Sequence, residues 1–285
     1  MIDLGALKAE FPQLSNITPL HNDNGGQKEV CRAGWNGRPV MLKLIKTNPS
    51  SQIRTDREIA AVKRLASSYV PEIFECGQRE ICGEVRQYII EQFIDGQSYR
   101  AMLQQQSIQP LPTVLELSKA LLEAVVDFEK NSLVHRDIKP ENLLIGRDGK
   151  LWVIDFGLAR HLDLVSATPS GLYGGVGTPG YAPPEQFRNL KPEIDARADL
   201  YSIGIVIYES LCGMNPYLRY SSNIVELSQR MESQDLPPLT IPGDSRNEFA
   251  GYIACLTQRF PSRRPQSARE ALNWFMPIYS SLKTH

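Results

Sequence analysis

The run His135-Arg136-Asp137-Ile138-Lys139-Pro140-Glu141-Asn142, with Asp155-Phe156-Gly157 beginning thirteen residues after Asn142, constrains this chain more than any other feature. It places a carboxylate (Asp137), a lysine two residues on (Lys139), an amide (Asn142) and a second carboxylate (Asp155) in one short stretch. A carboxylate orients and deprotonates an attacking hydroxyl, and a neighbouring lysine holds a moving phosphoryl group. An amide oxygen and a carboxylate are hard ligands suited to magnesium. Phosphoryl transfer is mostly a matter of positioning and electrostatics, and these are the parts it needs.

Composition sets the bounds. With 285 residues the chain is long enough for one large domain or two small ones and for a sizeable core. Its 42% hydrophobic and 22% charged content is that of a soluble globular protein. A net charge of -1 leaves no electrostatic footprint for nucleic acid or an anionic membrane. Five cysteines without a C-x-x-C pair indicate neither a disulfide framework nor a zinc site, and read as reduced thiols of a cytoplasmic protein. The start, interrupted by Asp3, Lys8 and Glu10, lacks the apolar core of a signal peptide. No stretch reaches the roughly eighteen uncharged apolar residues of a membrane span, so no membrane insertion is expected.

The chain changes texture near Asp95-Gly96, from mostly strands to mostly helices. Asn36-Gly37 separates the strand-like runs Glu29–Trp35 and Pro39–Ile45, a strong signal for a two-residue hairpin. A helix is expected over about Ser51–Ala66, with Ile59, Val62 and Leu65 on one face, then strands over Ile73–Cys76 and Val85–Phe93. Later helices are expected over about Pro112–Lys130, Asp199–Leu211 and Ser267–Leu282. Ser202–Leu211 is apolar nearly all round, as a buried helix should be.

The two opening motifs resemble the catalytic loop and magnesium loop of the eukaryotic-type serine/threonine protein kinase family. The resemblance implies an α+β, bilobal kinase fold with a small, mainly β N-terminal lobe and a larger, mainly α C-terminal lobe. The boundaries drawn are an extension over 1–16, an N-lobe over 17–94 and a C-lobe over 95–285, together one kinase domain. ATP and Mg2+ are the implied cofactors and proteins the implied substrates. Asp137, Lys139 and Asn142 take the catalytic roles, Asn142 and Asp155 the metal. Asp199, at the start of the buried helix, matches the aspartate that tethers the catalytic loop.

Lys43, in Val40-Met41-Leu42-Lys43, matches the phosphate-anchoring lysine; Lys46 competes for the role but has the opposite strand parity. Glu58, on the first helix, is its expected partner, the alternative being a surface bridge to Arg54. The glycine-rich loop departs from the family pattern. Counting back from Val30, only Gly25 survives, with Gly26 beside it, so the loop is either a phosphate cradle or a plain turn. The nucleotide is expected between the lobes, under Val30 and Met41 and above Leu144. Backbone at Glu91–Phe93 meets the adenine edge, and Ile90 limits the back of the pocket.

Gly177-Thr178-Pro179-Gly180-Tyr181-Ala182-Pro183-Pro184-Glu185 resembles the substrate-side segment of the family, and Arg264 the partner of its closing glutamate. Lys139 with Thr178 marks the serine/threonine class. Arg136 marks the subset switched by a phosphate on the loop before Thr178, for which Thr168 and Ser170 are the favoured acceptors; the alternative is an always-active loop braced by Arg136. Two further functions compete with an active protein kinase that also phosphorylates itself. One is a pseudokinase scaffold, suggested by the eroded glycine loop. The other is a small-molecule kinase, against which the Gly-Thr-Pro and Pro-Glu segment argues.

Overall fold

The structure, a computed structural model, describes residues 3–20, 28–46, 59–60, 62–63, 65, 67–156, 177–188, 190 and 193–283. It begins with α1 (Leu4–Glu10), capped by the Asp3 carboxylate, which accepts the Gly5 N–H at 2.8 Å. Five strands follow: β1 (Leu14–Leu20), β2 (Lys28–Trp35), β3 (Arg38–Lys46), β4 (Ile73–Ile81) and β5 (Glu84–Gln92). They form an antiparallel sheet in the order β1-β2-β3-β5-β4. The expected hairpin is present. Asn36 and Gly37 both take positive φ (51° and 76°), which a two-residue turn matched to strand twist requires. A second turn of the same kind, Cys82-Gly83 (53° and 78°), extends β4 beyond the expected end at Cys76.

Strand alternation divides this sheet into two faces. Val40, Leu42 and Leu44 of β3 and Tyr88 and Ile90 of β5 point to one side, where they pack with Leu7, Phe11, Leu14, Ile17, Cys31, Ala33 and Ile81 in one core. Thus α1 and β1, seven residues each, close this core: Leu7 and Phe11 are fully buried, and the Phe11 ring meets Tyr88 edge-on at 5.0 Å. Val30, Met41, Lys43, Ile89 and Glu91 share the other side. Residues 59, 60, 62 and 63 are helical, with Ile59 and Val62 buried; Leu65 already lies outside the helix.

Contacts divide the chain into two units, the first drawn from Met1–Arg64 and Val70–Asp95, the second from Leu65–Tyr69, Gly96–Gly157 and Ser166–His285. The second unit carries a small sheet of β6 (Gly96–Ser98), β7 (Leu143–Gly146) and β8 (Leu151–Val153). Its helices are α2 (Tyr99–Gln105), α3 (Leu111–Lys130), α4 (Pro184–Phe187), α5 (Ala196–Cys212), α6 (Ile224–Ser233), α7 (Glu248–Leu256) and α8 (Ala268–Lys283). On α3 the expected stripe of Val114, Leu117, Leu121, Val125 and Phe128 is buried, and the helix packs on α5 and α8. As its composition predicts, α5 is buried along almost all of its length. Asp195 caps its start, and Gly213, at φ 77°, ends it in the left-handed conformation.

Candidate active site

The catalytic loop is held by buried groups. Asp199, fully buried on α5, accepts the backbone N–H groups of His135 and Arg136 at 2.8 Å each. Burial pushes its carboxyl up to about 6, while the two N–H donors pull the other way. His135 is fully buried as well. Its Nδ1 accepts the Asp137 N–H at 3.3 Å, so Nε2 carries the proton and donates to the Ile154 carbonyl at 3.0 Å. Burial drives its pKa down to about 4, and the ring is neutral near pH 7. Phe156 packs against both His135 and Phe128, with ring centroids 4.6 and 4.9 Å away. Arg136 and Asp155 adopt φ of 65° and 60°, strained values for residues other than glycine, and both flank the reacting groups in sequence.

These supports bring the predicted catalytic residues of this unit together. Asn142, in a short turn after Lys139, donates its Nδ2 to both the backbone oxygen and Oδ2 of Asp137, 2.8 Å each. Lys139 Nζ lies 3.2 Å from Asp137 Oδ2 and donates to Thr178 Oγ1 at 2.8 Å; Thr178 in turn donates to Asp137 Oδ1 at 2.6 Å. A nearly buried carboxylate therefore meets an alcohol, an ammonium and an amide at once. The Asn142 carbonyl accepts the Ile154 N–H at 2.9 Å, which sets Asp155 one residue beyond that pairing. Nδ2 of Asn142 is committed to Asp137, which makes Oδ1 the atom of that amide with lone pairs to offer a metal, and Asp155 follows on the neighbouring segment. Mg2+ uses one or two carboxylates and fills its remaining positions with phosphate oxygens and water. A site of one amide oxygen and one carboxylate fits that demand.

The substrate-side segment is fastened to the same unit. Arg264 and Glu185, both 2% exposed, form a two-armed ion pair at 2.6 and 3.0 Å. The remaining guanidinium N–H groups donate to the carbonyls of Arg197, Gln258 and Arg259, so a costly buried cation is fully satisfied. Gln186 donates to the Arg136 carbonyl at 2.7 Å and links α4 directly to the catalytic loop. A second cluster was not foreseen from sequence. Arg100 of α2 donates to Glu141 and Glu209, 2.7 Å each, and to the Tyr181 hydroxyl, which itself donates to Glu209. Burial and the adjoining Glu209 hold the Tyr181 hydroxyl protonated. Its one sequence signal was Glu141, inside the catalytic-loop run itself.

In the first unit, Lys43 is buried on β3 directly opposite Val30 of β2, and Met41 stands opposite Glu91 of β5. Lys43 forms an ion pair with Glu91, a partner the sequence reading did not name. Ile90 requires a correction. It was expected to limit the nucleotide pocket, but it lies in the core on the face opposite Met41 and Lys43, because neighbouring residues of a strand alternate. Glu91 occupies the side of the sheet assigned to Ile90. Phe93 is the first residue beyond β5, with the Arg32 guanidinium 4.5 Å above its ring. In the second unit, Leu144 lies half-buried on β7. Gly25, Gly26, Glu58, Thr168 and Ser170 lie outside the described residues.

The protein kinase domain model matches residues 24–275. A probable serine/threonine-protein kinase of Streptomyces coelicolor is 30% identical over 253 residues, covering 86% of this chain and 37% of its own length. The serine/threonine-protein kinase PknL of Mycobacterium tuberculosis is 31% identical over 232 residues, covering 80% of this chain and 56% of its own. The chain thus spans between 37% and 56% of the length of these relatives. Its fold is similar to the crystal structure of the M. tuberculosis PknI kinase domain, with a TM-score of 0.69 and 19% identity, covering 96% of this chain and 98% of that one. The catalytic-loop geometry and a family match across most of the sequence lead to one conclusion: this chain belongs to the protein kinase domain family.

Proposed function

We propose that this chain transfers the γ-phosphoryl group of ATP to serine and threonine hydroxyls of proteins, itself included, with Mg2+ as the metal. The observation that carries the reading is the contact between Asp137 and the Thr178 hydroxyl beside Lys139, a carboxylate already engaging an alcohol next to an ammonium. A substrate hydroxyl takes the same kind of hydrogen bond to Asp137. As its oxygen bonds to the γ-phosphorus, the bond to the β,γ-bridging oxygen breaks, ADP departs and the hydroxyl proton passes to Asp137. Lys139 offsets charge on the moving group. Mg2+, held by Asn142 and Asp155, would neutralise charge on the phosphates.

Lys43 anchors the phosphates in this reading, and Val30, Met41 and Leu144 contact the nucleotide, with backbone near Phe93 at the base. Gly25, Gly26 and Glu58 complete the proposed set of ATP-binding residues. Phosphorylation at Thr168 or Ser170 raises activity by adding about -1.5 to -2 charges opposite Arg136. The unpaired state of all five cysteines supports work in the cytoplasm. No helix among the described residues is long and apolar enough to cross a membrane. Incubation with labelled ATP and Mg2+, followed by phosphosite mapping, tests the proposal. Label is expected on serine and threonine, and its absence from every protein, the chain included, overturns the activity.

A further inference from the structure

The sheet face that carries Lys43 carries a second charge. Pairing of β3 with β5 runs without a bulge, Met41 opposite Glu91 and Lys43 opposite Ile89. Glu91 is therefore the diagonal neighbour of Lys43, a separation that long side chains span. Their charged ends meet in an ion pair, with Lys43 6% and Glu91 8% exposed. Strand β5 is paired on both sides at Glu91, with Met41 of β3 in a regular ladder and with Ile73 of β4 beside a register shift between Ile73 and Glu75. The backbone beneath the carboxylate is thus pinned in a ladder, whereas a carboxylate on a helix moves with that helix.

We propose that Glu91 is a positioning residue for Lys43, a strand-borne carboxylate that holds the ammonium where it meets nucleotide phosphates. An ammonium has three N–H donors, so one carboxylate does not by itself exhaust it, and a phosphate oxygen can meet the same cation. Displacement of Glu91 is not needed, and the carboxylate and phosphate share the cation. The anchor is then set by strand pairing and retains a counter-ion whatever the first helix does. This inference rests on Lys43 being the phosphate anchor.

Binding of MgATP and of adenosine to the full chain, measured by calorimetry, separates the possibilities, because adenosine carries no phosphate. Glu91→Gln keeps the shape and removes the charge. It is expected to weaken MgATP by at least about tenfold, the scale of one charged hydrogen bond, and to leave adenosine unchanged within about threefold. Glu91→Asp, with the charge on a shorter stem, should recover most of the MgATP affinity, and it serves as the test against wild type and Lys43→Met if Glu91→Gln does not fold. In a Lys43→Met background, Glu91→Gln should add nothing. Equal weakening of MgATP and adenosine would make Glu91 a wall of the base site and overturn the proposal. Tighter MgATP binding by Glu91→Gln would make it a competitor for Lys43 and overturn the proposal as well. If Lys43→Met loses MgATP affinity while Glu91→Gln keeps it, the positioning role fails alone. If Lys43→Met itself keeps full MgATP affinity, the anchor reading fails first.

Discussion

At the scale of single residues, the strongest demands fall on groups that are buried and chemically committed. Asp137 is 8% exposed and bonded to Asn142 and Thr178, so Asp137→Asn keeps the shape while removing the proposed proton acceptor. Phosphoryl transfer should fall by about 10²–10⁴, with MgATP affinity retained, in single-turnover and binding measurements. His135 makes a prediction about pH. Its native pKa, near 4, lies below the ordinary value of 6.5, so between those limits the unfolded chain binds a proton that the native state refuses. Stability from this group is full above pH 6.5 and is lost as pH falls toward 4, by at most about 3 kcal/mol. Asp199 acts in the opposite sense. Its raised pKa, about 6 against 3.8, makes the native state the better proton binder, so its contribution is full below pH 3.8 and declines as pH rises through 6. In chemical denaturation, His135→Phe should therefore remove the acid-side loss and leave the opposite trend of Asp199. An unchanged pH profile would remove His135 from this account.

At the scale of elements, two attachments decide whether segments remain where the chemistry needs them. Glu185 on α4 and Arg264, 79 positions apart, lock the substrate-side segment through a pair almost without solvent contact. Arg264→Ala leaves Glu185 charged and buried and should cost about 3–5 kcal/mol in denaturant unfolding. A cost below about 1 kcal/mol, roughly that of a surface bridge, would show that the pair is not buried in solution. The second attachment is α1 with β1. Phe11 is fully buried under Tyr88, and Phe11→Ala should cost about 3–5 kcal/mol, as for other large core deletions. The family model begins only at residue 24, although Leu7 and Phe11 belong to the core of the first unit. From sequence, the N-terminal residues read as an extension. Their single short helix offers too few apolar positions to show a period, and the sheet face that buries them exists only after folding.

At the scale of the whole molecule, nucleotide binding should be legible as stability. A ligand that binds only the native state adds about 2.7 kcal/mol at a hundredfold excess over Kd, so MgATP should raise the Tm of the wild type and raise it less in Lys43→Met. No shift at any MgATP concentration would remove the nucleotide from the proposed function. The sequence alone brought the candidate catalytic groups together. Asp137, Lys139 and Asn142 lie in one short run whose local spacing survives any packing, and the Asn36-Gly37 turn and the apolar helix α5 follow from backbone preference and composition. The pairing of Glu185 with Arg264 was also legible, through the resemblance of two distant segments to the kinase family. What only tertiary structure decided was strand register. Side chains alternate with a period of two, so a shift of one residue between β3 and β5 exchanges the faces. No local signal in Ile89-Ile90-Glu91 says which residue faces Lys43. The pairing of Met41 with Glu91 does, and it sends Ile90 into the core and brings a carboxylate to the lysine.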